Sequence, residues 1–150
     1  MAESVKHKEL KKHALYFLKD KVIDIVANEV KFNNIRCIAD AVGVNLKRKE
    51  IRIIEVKVTR EDFFRDKKLF AEKHSYFNHA HYSYILCPHE LIQPHEVPSG
   101  HGLLWIDDQR VITVIKKPTK NTKPLKTRFE TTLKRSVRRL SNSLLYESVG

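Results

Sequence analysis

Two short aliphatic runs, each broken by a carboxylate, constrain this chain more than any other feature. Residues 38–45 read Ile-Ala-Asp-Ala-Val-Gly-Val-Asn, and residues 51–58 read Ile-Arg-Ile-Ile-Glu-Val-Lys-Val. Each run is short and mostly β-branched or aliphatic, so each reads as a strand. The basic turn at residues 46–50 joins them as a hairpin. Side chains two apart on a strand share a face, so Glu55 and Lys57 point one way and Ile54, Val56 and Val58 the other. A hairpin can bring Asp40 close to Glu55. Two carboxylates at one spot repel, and a hard divalent cation such as magnesium relieves the repulsion through oxygen ligands. A lysine beside the cation can orient or help deprotonate a water, or stabilise charge on a phosphate. The pattern suits hydrolysis of a phosphodiester. A surface hairpin with one solvated face and a Glu55–Lys57 pair accounts for the same residues without chemistry.

Asp40, a gap, then Glu55-Val56-Lys57 resembles the D…(D/E)-X-K signature of the PD-(D/E)XK nuclease superfamily. Residues 55–68 are similar to the E-x-K-x-S-x-x-D-F-x-x-D-x-K stretch of its MmcB-like DNA-repair branch. Glu55, Lys57, Asp62, Phe63, Asp66 and Lys68 fall on its fixed positions, and Thr59 on the serine. Residues 84–88 and 102–107 resemble later strands of that branch, and the similarity spans residues 5–117. Ala39 stands where the superfamily's proline would precede Asp40.

The resemblance implies an α/β fold, a restriction-endonuclease-like α/β/α core with a central mixed sheet flanked by helices. It implies a magnesium-dependent (or manganese-dependent) DNA endonuclease working in repair or processing. Asp40, Glu55 and the Val56 carbonyl would hold the metal, and Lys57 would position the attacking water. In the superfamily a glutamate on the first helix often joins the site. Glu9 is the acid inside the helix expected over residues 5–19, and takes that role by resemblance. An exposed partner for Lys12 or His13 is the other reading of Glu9.

Charge bears on the partner. Lys and Arg number 29 against 18 Asp and Glu, a formal charge of +11, and such an excess favours a polyanion. DNA is the first candidate, through Lys67 and Lys68 after the motif, Lys120 and Lys123 in a proline-bearing basic stretch, and Arg135 and Arg138 on the last helix. A non-catalytic nucleic-acid-binding module on the same fold is the alternative, as is an enzyme that needs a protein partner to present its substrate. No apolar run approaches the roughly 20 residues of a membrane helix. The N-terminal residues lack the apolar core of a signal peptide, so the expected location is cytoplasmic. Cys37 and Cys87 lie in apolar runs, where buried free thiols are the default. The histidine clusters, His74, His79 and His81, then His89, His95 and His101, match no recognised zinc spacing.

At 150 residues a single folding unit is expected, with residues 1–117 as the nuclease-like domain and 118–150 as a basic linker and a helix packing on it. Ser4 is the expected N-cap of the first helix. A first strand is expected near residues 29–32. Thr59 suits the N-cap of a helix whose first turn holds Glu61 and Asp62, with Phe63, Phe64 and Phe70 on a broad core face. Strands follow at 81–87, 102–107 and 110–116, with a short helix at 89–92 in the loop between the first two. Residues 116–126 read as a linker or mobile loop. Phe129, Leu133, Val137, Leu140, Leu144 and Leu145 form a helical stripe that packs on the domain or makes a homodimer contact.

Overall fold

The computed structural model describes residues 3–21, 24–32, 37–66, 79–122 and 126–146. The chain is α/β: one mixed six-stranded sheet flanked by helices. Its elements are α1 (Val5–Lys21), β1 (Ile25–Phe32), β2 (Cys37–Asn45), β3 (Glu50–Val56), α2 (Arg60–Arg65), β4 (Tyr82–Pro88), β5 (Gly102–Ile106), β6 (Ile112–Lys116) and α3 (Lys126–Tyr146). The strands lie in chain order. β2 runs antiparallel to both β1 and β3, β4 and β5 run parallel to β3, and β6 returns antiparallel. No helix among the described residues is long and apolar enough to cross a membrane.

The two faces of the sheet are covered differently. α1 lays Leu10, Ala14 and Leu18 on Ala41, Ile54, Tyr84 and Leu86. The opposite face, with Ile51, Ile53, Ile85 and Leu103, takes Phe63 of α2, Ile92 and Val97 of the long loop, and Phe129 and Leu133 of α3. β3 and β4 are thus buried on both sides, which is why they read as almost unbroken apolar runs. Phe63 is fully buried and contributes about 2–3 kcal/mol by its removal from water.

Ser4 caps α1, its Oγ accepting the His7 amide at 3.0 Å. Thr59 caps α2, accepting the Asp62 amide at 3.1 Å. Other expectations shift. β1 begins at Ile25, earlier than the sequence suggested. α2 stops at Arg65, where the Asp66 amide closes on the Phe63 carbonyl, so Phe64 is left exposed beneath Arg60 instead of joining Phe63 in the core. Phe70 lies outside the described residues. The long loop has its single helical turn at Pro94–Glu96, beginning at Pro94 instead of spanning 89–92, and Arg60 anchors it through Glu96 at 2.6 Å.

The basic connector is bound to the sheet. The Thr119 amide donates to the Gly100 carbonyl at 3.0 Å and the Asn121 amide to the His81 carbonyl at 2.7 Å. Pro118 crosses so close to Gly102 that a Cβ there would lie 2.9 Å from its Cδ. Main-chain bonds hold this stretch, and they leave no mark in its hydropathy.

α3 packs through only the first part of its apolar stripe, Phe129 and Leu133. Thr132 and Ser136 are buried beside the half-buried Phe129 and Leu133, and the Ser136 hydroxyl donates to the Thr132 carbonyl at 2.8 Å. The small side chains let the helix come close to β1. Val137, Leu140, Leu144 and Leu145 stay exposed.

Candidate active site

The β2–β3 ladder stops at Ala41 and Ile54. One residue further, the side chains take over the main-chain bonds. The Asp40 amide donates to Glu55 Oε1 at 3.1 Å, and the Val56 amide donates to Asp40 Oδ2 at 2.8 Å. The two carboxylates therefore meet where the strands separate, each tied to the opposite strand. β3 continues instead toward β4, the Lys57 amide donating to the Leu86 carbonyl at 2.9 Å. This divergence opens a cavity of ≈ 320 Å³ lined by Asp40, Glu55, Val56, Lys57, His7 and the end of α2.

Glu55 is only 4 % exposed. Burial, then the charge of Asp40, push its carboxyl well above the ordinary carboxylate range, against the pull of Lys57. Lys57 Nζ lies 2.7 Å from Asp66 Oδ2, the residue that ends α2. His7 approaches Asp40 from α1, with Nε2 3.5 Å from Oδ2, and its other nitrogen meets Glu3. Asp40, and then Glu3, hold the His7 imidazole above its usual range despite burial.

The residues present fit a hard divalent cation. Each carboxylate spends one oxygen on a backbone amide and keeps the other, Asp40 Oδ1 and Glu55 Oε2, for a ligand. A charge pressed on a buried carboxyl is what a cation relieves. Among the described residues no three His, Cys, Asp or Glu side chains converge as a ready metal cage. Two carboxylates suffice for magnesium, which keeps several of its waters.

The structure brings together Asp40, Glu55, Val56 and Lys57. It does not bring Glu9 to them: Glu9 turns to Arg110 in an ion pair. The reason is helical phase. Position 9 lies about 200° around the helix from position 7, and it is His7 that reaches Asp40. Glu3, His7 and Lys11 share one flank at four-residue spacing, the signal by which this edge of the site could have been found. Asp66, matched by the motif but given no role, proves to be the partner of Lys57.

Of the expected DNA contacts, Lys67, Lys68 and Lys123 lie outside the described residues. Lys120 sits on Glu50 at 2.6 Å, at the opposite end of β3 from Glu55, roughly 17 Å along the strand. Arg135 and Arg138 line a cleft between α3 and the β1–β2 edge. Outside the site, His81 Nδ1 accepts the Ile51 amide at 3.0 Å and His89 packs edge-on against Trp105. Burial pushes the Cys87 thiol up to about 12, which removes it as a nucleophile.

No family model matches the chain, and no curated protein does. Among solved structures, the SPO1766 protein of unknown function from Silicibacter pomeroyi is similar: 20% identical, with a TM-score of 0.64 over 83% of this chain and 82% of that one. At that identity the likeness shows the fold alone.

Proposed function

We propose that this chain is a metal-dependent nuclease hydrolysing DNA phosphodiester bonds, in repair or processing. The observation that carries the reading is the meeting of Asp40 and Glu55 where β2 and β3 part, beside Lys57 and in an open cavity. Asp40, Glu55 and the Val56 carbonyl would hold magnesium or manganese. When bound, such an ion lowers the pKa of a coordinated water and offsets charge on the phosphoryl oxygens.

The chain's own groups do the rest. Lys57 has three donors and gives one to Asp66, so two remain to orient a water or to bond a phosphate oxygen. Asp66 fixes the ammonium against the site. Arg65, also on the cavity wall, offers a guanidinium to the substrate backbone. The net charge of +11 attracts the polyanion and gives no sequence preference.

A second reading, a non-catalytic nucleic-acid-binding module, draws on the same bonds. Asp40, Glu55 and Lys57 all have internal partners, which is also how a purely structural cluster is held. Cleavage separates the two. Plasmid, single-stranded circle, flap and four-way junction are incubated with magnesium or manganese and with wild type or Glu55→Ala. Cutting by wild type alone, with DNA binding retained by the variant, is the expected result. Salt-titratable binding without cutting by either protein moves the chain to the second reading.

A further inference from the structure

The cleft behind the carboxylate pair has a composition of its own. Arg135, Arg138 and Arg139 stand three and four residues apart, on one flank of α3. With Lys31, Ile38 and Glu29 of the β1–β2 edge they enclose ≈ 410 Å³. Four cationic side chains thus face one carboxylate. That carboxylate is already engaged, with Glu29 Oε1 2.7 Å from Lys11 Nζ and Oε2 3.1 Å from Arg139 Nη2. Arg139 also donates to the Asn28 carbonyl at 3.2 Å, so its guanidinium is fixed on β1. The cleft is a built concavity with a net positive wall, where an anion can take planar, paired bonds from arginine.

Its position links it to the site. The β1–β2 ladder runs through Asn28↔Ala41 and Val30↔Ala39 and skips the rung between them, where Glu29 would face Asp40. Glu29 takes a left-handed φ of 52° there. Ile38, half exposed, lies two residues from Asp40 on β2, about 7 Å along the strand. The rim of the cleft thus lies two residues from Asp40 along β2.

We infer that this cleft is a phosphate subsite for the strand being cut: its arginines hold the phosphodiester backbone next to the bond that lies at Asp40 and Glu55. The inference rests on the phosphodiester reading of the neighbouring site. Ile38 supplies an apolar contact for the flanking sugar or base. Backbone contacts of this kind place a strand and carry no sequence information.

The test is binding of a labelled single-stranded oligonucleotide to the full chain without divalent metal, followed against salt. Wild type is compared with Arg135→Gln/Arg138→Gln and with Lys31→Gln, which checks the cleft from the strand side. The double variant is expected to bind roughly 10- to 100-fold more weakly at low salt, with a salt slope flatter by about 1.4 for two lost phosphate contacts. Lys31→Gln should flatten it by about 0.7. Unchanged affinity and slope in both variants would overturn the subsite and leave Glu55-dependent cutting, measured separately, untouched. Weakened binding in both, with no cutting by wild type, keeps the cleft as a phosphate site and sinks the nuclease reading. An oligonucleotide that wild type does not bind at any salt overturns the inference.

Discussion

The ammonium of Lys57 lies 2.7 Å from Asp66 Oδ2, and both side chains are almost enclosed, 11% and 12% exposed. The bond joins the last residue of the carboxylate motif to the end of α2, so the helix holds the lysine in place. Removing one partner leaves an enclosed charge unmatched. Asp66→Asn keeps an acceptor, and the expected loss is about 1–3 kcal/mol in urea unfolding. On the proposed nuclease reading, cleavage should fall through kcat with KM little changed, because the lysine would be present but loosely held. Wild-type stability and rate in this variant would show that the pair is incidental.

The Glu55 carboxyl links stability to pH. Its native pKa lies above its unfolded value, so the native state keeps a proton that the unfolded state has released. Metal-free protein should therefore be most stable, with respect to this group, below the ordinary carboxylate pKa. Stability should fall by up to about 1.4 kcal/mol per pH unit as pH rises from there toward the raised native value. Glu55→Gln removes that slope. Parallel unfolding curves for wild type and Glu55→Gln across this range would contradict the assignment.

Cation binding by the native state alone should raise Tm. At a free ion concentration of 100 times Kd the gain is about 2.7 kcal/mol. A thermal scan with magnesium or manganese should show the rise in wild type and not in Asp40→Asn or Glu55→Gln. An equal rise in all three would place the ion elsewhere.

Lys120 is expected to serve the fold instead of the substrate. Its partner Glu50 is buried, and Lys120 helps hold that carboxyl below its ordinary range against the cost of burial. Lys120→Ala should lower the urea midpoint, because the Glu50 carboxylate loses its partner, and leave the DNA salt slope unchanged. A flatter slope at full stability would make this lysine a contact for the nucleic acid.

Ser136 reports which face of α3 is inside. It has no exposed surface, and Val137 beside it is half exposed. Ser136→Leu overfills the contact with β1 and should destabilise by about 1–3 kcal/mol, whereas Val137→Ser should fall within about 0.5 kcal/mol of wild type. The reverse order would mean that the stripe from Val137 onward is the packing face.

The sequence by itself determined the order of the elements, the two capped helices and the pairing of Asp40 with Glu55. Those depend on local rules: alternation along a strand, a hydroxyl before a helix, and a hairpin that keeps neighbours in chain order adjacent in space. Tertiary structure decided what local rules do not reach. Glu9 went to Arg110 and His7 to Asp40, because helical phase sets the two side chains on opposite flanks of α1 and the packing of α1 on the sheet turns the His7 flank to the site. Lys120 went to Glu50 because main-chain bonds, invisible in composition, draw the connector across β5. α3 turned Thr132 and Ser136 inward beside Phe129 and Leu133 and left Val137 and Leu140 outside, because close approach to β1 favours small side chains there. Where a residue's role depends on distance to another element, the packing of the whole sheet set it.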